Sequence, residues 1–146
     1  MEEPMTVGCF EKVSFPELGL DNVIAKIDTG AYSGALHCTD IRVVRRGPDK
    51  KKILKFRPHG HPELNEETEK FKQTYVRSAL GHRSRRFIIE TTINFNSQTY
   101  PIQIGLSDRS DMKKPVLIGR RFLRENNIIV DVRINAEYDD EGENSK

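Results

Sequence analysis

The chain has 146 residues, 36% of them hydrophobic and 32% charged, with a formal net charge of +2. That length fits one domain with a single modest core, and no apolar run reaches the roughly 18 residues that span a bilayer. Two cysteines, Cys9 and Cys38, are too few for a disulfide scaffold; the opening MEEPMTVGCF carries two acids and no apolar signal core, so a cytoplasmic protein without membrane attachment is expected.

Strand-like patterns come first and dominate. TVGCFEKVSF alternates imperfectly and stops at Pro16, before a turn-prone ELGLDN. VIAKI reads as a short buried strand running into Asp28. ALHCTDIRVV alternates until RRGPDKKK, where Gly-Pro-Asp signals a turn, and KILKF is the returning strand. RPHGHPELNEETEKFKQ is polar and broken by proline; it reads as an excursion, with one helical turn near NEETEKF. TYVRSAL, RRFIIETTINF, QTYPIQIGL and KPVLI form a second group of strands. LGHRS is a hairpin tip between the first two, with Gly81 available for positive φ, and NFNSQ turns between the next two. GRRFLREN (119–126) is the best helix, apolar at Phe122 and Leu123 and stopped by Asn126–Asn127, and IIVDV closes the domain. Many short strands with one late helix predict an all-β fold, a small closed barrel or sandwich. Residues 1–136 are expected to form the domain, and 137–146 an acidic, disordered tail.

Basic residues cluster in RVVRRGPDKKK (42–52) and HRSRR (82–86). Neither cluster is interleaved with aromatics, so nucleic acid is not the expected partner. Solvated loop faces or recognition of an acidic ligand remain.

Asp28-Thr29-Gly30-Ala31 follows a buried strand. A turn, a cation or phosphate site, and half of an aspartyl protease centre all fit those residue types. Burial makes the carboxylate's proton affinity tunable. Thr29 offers a hydroxyl to hold neighbouring backbone, Gly30 permits a tight turn with N–H groups facing the carboxylate, and Ala31 leaves room above it. PVLIGRRFL (115–123) adds a second piece about ninety residues later: two apolar residues, Gly119, Arg120, then a helix. This ordered pair resembles the retropepsins, the retroviral-type aspartyl proteases. The resemblance implies a closed single-lobe acid-protease barrel with one short C-terminal helix. It also implies Asp28, Thr29 and Gly30 as the catalytic loop, with Ala31, Leu117, Ile118, Gly119 and Arg120 as its support.

A narrower resemblance spans nearly the whole chain. FPELGL, AKIDTGAYSGALH, RSALGHRSRRF and LSDRSDMKKPVLIGRRFL are similar to a bacterial family named ATP-dependent zinc proteases. Its members are often encoded beside ATP-grasp ligases that glutamylate a ribosomal protein, and its fold is of the retropepsin kind. This sequence has no HExxH and no phosphate-cradling glycine loop, so no cofactor is expected. A weak zinc alternative would use His37, His59 and His61.

Aspartyl proteolysis needs two carboxylates sharing one proton. With one Asp-Thr-Gly in the chain, the second must come from Asp28 of a second copy, which predicts a homodimer. VRSALGHRSRRF is the expected flap over the substrate, with Gly81 and His82 at its tip and Arg83, Arg85 and Arg86 on its return strand. Near the centre, His37 is a further candidate for substrate contact. Those arginines suit an acidic or glutamylated peptide. Tyr32 and Ser33 stand where retropepsins place acids that pair with the helix arginine, so Asp108 or Asp111 is the expected partner of Arg120. The alternatives to a peptidase are a non-catalytic module that binds acidic peptides or proteins, and a zinc-dependent peptidase.

Overall fold

The computed structural model describes residues 3–59, 63–77, 79–108 and 113–139. In chain order the strands are β1 (Met5–Gly8), β2 (Phe10–Phe15), β3 (Leu20–Asp28), β4 (Ala35–Arg46), β5 (Lys51–Pro58), β6 (Glu66–Thr68), β7 (Phe71–Arg77), β8 (Arg83–Phe95), β9 (Gln98–Ser107) and β10 (Val116–Gly119), followed by the helix α1 (Arg120–Glu125) and β11 (Ile128–Asp131). Six strands close the barrel in the order β10-β3-β2-β8-β9-β4, with β4 pairing back onto β10. β5 and β6 extend the sheet beyond β4, and β7 pairs only with the outer half of β8. β1 and β11 form a separate two-stranded parallel pair.

Side-chain alternation explains the barrel wall. In β8, Phe87, Ile89, Thr91, Ile93 and Phe95 are buried, and the residues between them face outward. Asn96 and Ser97, both at positive φ (52° and 67°), turn the chain into β9 in the manner of a two-residue hairpin. Phe15, Phe56 and Phe95 are fully buried; truncating one of them to alanine would cost about 3–5 kcal/mol.

The excursion differs from expectation. NEETEKF contributes the strand β6 in place of a helical turn, pairing Lys55 with Glu67 and Phe56 with Glu66. Ladder hydrogen bonds and cross-strand charge pairs with β5 outweigh the local helix preference of the glutamates. TVGCFEKVSF is also two strands, because residues before Cys9 pair with β11 and residues after it pair with β3 and β8.

β10 has the largest consequence for the site. It runs parallel to β3, with Ile118 opposite Ile27 and Gly119 opposite Asp28. Parallel strands end on the same side of a sheet. The loop after β3 and the start of α1 therefore emerge together.

Candidate active site

Residues 28–34 rest on β10 and α1 through backbone contacts. Gly30 N–H donates to Asp28 Oδ1 at 3.0 Å, and Ala31 N–H donates to the Asp28 carbonyl at 3.2 Å. The first two N–H groups of α1 lack helical partners; Arg120 N–H donates instead to the Ala31 carbonyl (2.8 Å) and Arg121 N–H to that of Tyr32 (3.0 Å). A six-residue helix is too short to persist alone, so loop and helix hold each other. The approach is too close for side chains: a Cβ on Gly119 would lie 2.6 Å from the Tyr32 carbonyl oxygen, and one on Gly34 would lie 2.6 Å from that of Leu117. Gly119 is thus required where β10 passes under the loop. Asp28 is half-buried, while Thr29 and Gly30 are exposed.

Two expectations for this loop change. The Thr29 hydroxyl makes no hydrogen bond to any described residue, so it does not brace its own chain. Arg120 forms no ion pair with Asp108 among the described residues; its Nη1 donates to the Gly30 carbonyl at 3.0 Å and its guanidinium lies 5.4 Å from the Tyr32 ring centroid. The aromatic at position 32 and a backbone carbonyl replace the expected carboxylate. Asp111 lies outside the described residues.

His37 sits on β4, its Nδ1 3.2 Å from the Ser107 carbonyl oxygen, a geometry that the Nδ1–H tautomer satisfies. Its own carbonyl accepts from His59 N–H at 2.7 Å. His61 lies outside the described residues. Among the described residues no three His, Cys, Asp or Glu side chains converge as metal ligands. Cys38 is buried, and desolvation pushes its thiol above the ordinary range, away from nucleophile behaviour. Asp131, at the end of β11, is committed to Arg133, whose guanidinium holds it at about 2.

β7 and β8 form the expected hairpin over residues 71–95, with Gly81 at φ 84° and His82 exposed at its tip. Strand parity divides its arginines. Arg83 and Arg85 lie on the face that continues as buried Phe87 and Ile89, whereas Arg86 lies on the other face, its stem packed against Gly105. Arg86 lines a cleft of about 560 Å³ with Tyr32, Ser33 and Arg121. Arg86 also borders a second cleft of about 480 Å³, with Arg85, Phe87, Leu106, Asp108 and Asp40. Asp28 lines neither cleft. Tyr75, Gln73 and Arg77 on β7 share the face of Arg83 and Arg85. They escaped the sequence reading, although the alternation in FKQTYVR marks them as one face.

Comparison with known proteins bears on this arrangement. The chain is 27% identical over 128 residues to a probable alpha-L-glutamate ligase of Desulfotalea psychrophila, covering 84% of this chain and 27% of that protein. A probable alpha-L-glutamate ligase of Shewanella pealeana matches at 24% over 126 residues, covering 84% and 28%. The chain thus spans little more than a quarter of the length of these curated relatives. A crystal structure of a Legionella pneumophila protein of unknown function shares the fold, with a TM-score of 0.67 at 23% identity over 89% of this chain and 95% of that one. A family model described as the retropepsin-like aspartic endopeptidase RimB matches residues 6–139. The closed barrel, the Asp28 loop seated on Gly119 and this match over nearly the whole chain place it together: the protein belongs to the RimB-like family of retropepsin-like aspartic endopeptidases.

Proposed function

We propose that this chain is an aspartic peptidase that works as a homodimer and cleaves acidic, glutamate-bearing peptides. One observation carries the reading. The Asp28 carboxylate is held from behind by Gly30 N–H and by a loop locked to Arg120, while Thr29 and Gly30 in front of it are exposed. A single chain supplies one such carboxylate, and water activation needs a second with which it shares a proton. Two Asp28 loops meeting across a two-fold axis meet that need. One carboxylate takes a proton from the attacking water, and the other, protonated, donates a hydrogen bond to the scissile carbonyl. The exposed Thr29 hydroxyl is then available to the partner chain.

Support for the substrate class is independent of the loop. The flap carries Arg77, Arg83, Arg85 and Arg86, and none pairs with a carboxylate among the described residues. Relatives named glutamate ligases contain a segment like this chain, which sets glutamate chemistry beside this fold.

Asp28→Asn is the direct test. It is expected to lower cleavage of a glutamylated peptide by about 10²–10⁴-fold, with the dimer unchanged by sedimentation. Full activity in the variant would overturn the assignment. Wild-type binding of acidic peptides without cleavage would favour a binding module, and loss of cleavage on chelation would favour the zinc reading.

A further inference from the structure

One face of the flap is a ladder of aromatic and cationic side chains in uninterrupted register. Phe71 and Phe87 meet edge to face at 6.1 Å between centroids. Arg85 lies over the Phe87 ring at 5.4 Å, and Arg83 lies over the Tyr75 ring at 4.3 Å. Gln73 Nε2 donates to the Tyr75 hydroxyl at 3.1 Å and fixes that ring. Arg77 stands directly opposite Arg83, and neither has a carboxylate partner among the described residues. Like charges directly opposite destabilise a hairpin. Such a register serves an anion that arrives from elsewhere.

Spacing narrows what that anion is. Arg83 and Arg85 are two residues apart on one strand, about 6.6 Å along it. Stacking on Tyr75 and Phe87 restrains both guanidinium planes while leaving their donor edges free. Alternate side chains of an extended peptide repeat at the same distance. Below Arg85 the cleft holds two acids; Asp40 is already engaged by Arg42 and Arg57, which leaves Asp108 as the opposing charge.

We infer that Arg83 and Arg85, shelved on Tyr75 and Phe87, read carboxylates at alternate positions of an extended peptide, and that Tyr75 is a positioning residue for this recognition. The inference deepens the acidic-substrate reading and rests on it. Arg86 lies on the opposite face by strand parity but also borders the cleft below Arg85.

Two short peptides of identical composition test it, one with two glutamates separated by a single residue and one with the glutamates adjacent. Binding is followed by fluorescence anisotropy in the full-length Asp28→Asn protein, which separates recognition from cleavage. The alternating peptide is expected to bind about fivefold or more tightly than the adjacent one. Arg83→Gln or Arg85→Gln should each weaken it about tenfold and erase the preference. Tyr75→Leu should weaken it about two- to fivefold with all charges kept, and Tyr75→Phe should restore most of that loss. Lys52→Gln, in the other basic hairpin, controls for bulk charge. Equal affinity for the two peptides would overturn the inference, as would a loss on Lys52→Gln matching that of Arg83→Gln. Preference for the alternating peptide in a protein that cleaves nothing would leave this inference standing and remove the peptidase reading. Cleavage indifferent to glutamate spacing would do the reverse.

Discussion

The hairpin of β4 and β5 and the hairpin of β7 and β8 are both basic, and both place cations directly opposite one another. In the first, Arg42 faces Lys55, Arg45 faces Lys52, and Arg46 faces Lys51. Most of that repulsion is answered inside the chain. Glu67 of β6 takes Arg46 in a bidentate pair at 2.9 and 3.0 Å, Glu69 takes Lys51 at 2.8 Å, and Asp40 takes Arg42 at 2.6 Å. Lys55 stands across from Glu67. In the second hairpin Arg77 faces Arg83, and neither pairs with an acid of a described residue. The two stretches look alike as composition. One is a charge-balanced sheet extension; the other leaves its opposed arginines without an acid from a described residue.

That contrast can be broken in several ways. The largest expected effect is on turnover of an acidic peptide: Arg83→Gln with Arg85→Gln should lower kcat/KM about 100-fold or more, whereas Arg45→Gln with Lys52→Gln should stay within about twofold. Comparable losses in both doubles would show that only net charge matters. Raising ionic strength from about 0.05 to 0.5 M should raise KM for that peptide several-fold with little change in kcat, because exposed charge pairs are screened. A salt-independent KM would remove the flap arginines from recognition.

Arg83→Glu should act in opposite directions on the two properties. It converts the Arg77 pairing from like to opposite charge, so urea unfolding should show a small gain, about 0.2–1 kcal/mol, while acidic-peptide binding falls. A less stable variant would mean that the opposed arginines are not strained.

The smallest effects lie in the balanced hairpin and at the terminal pair. Hydrogen bonding from Arg46 lowers the Glu67 carboxyl below its ordinary value. A depressed folded-state value means stability that is present above the unfolded value and lost as pH falls through the folded one. Asp131 follows the same sign, held near 2 by Arg133 against an ordinary 3.8. NMR titration should find its midpoint near 2, and Arg133→Gln should return it towards 3.8 with little loss of stability, since the Arg133 end of the pair is exposed to solvent screening.

Much of the fold was legible because its signals are local. The alternation of β8, the turn at Asn96–Ser97 and the breaks at Pro16 and Gly47-Pro48 follow from period-two patterning and turn chemistry. β6 was not legible: Glu66, Glu67 and Glu69 favour helix until Lys51, Lys55 and Arg46 are brought beside them. The partner of Arg120 was missed for a related reason. The retropepsin resemblance implies an acid beside this arginine, but the loop's own carbonyl at Gly30 and the ring of Tyr32 take its place. The flap arginines were found as a cluster, and only register divides Arg83 and Arg85 from Arg86.

By itself the sequence determined the two segments that the fold brings together. Asp28-Thr29-Gly30 after a buried strand and Leu117-Ile118-Gly119-Arg120 before a helix are short-range statements about turns, glycine and apolar strands, and such statements survive without neighbours. Only the tertiary structure decided what the charges do. Whether a cation is neutralised depends on which strand lies beside it, and whether a Cβ is allowed at Gly119 depends on a carbonyl 2.6 Å away from residue 32. Electrostatic and steric terms act over a few ångströms in space, and for Gly119 and Tyr32 that distance is closed only when β10 slides in beside β3.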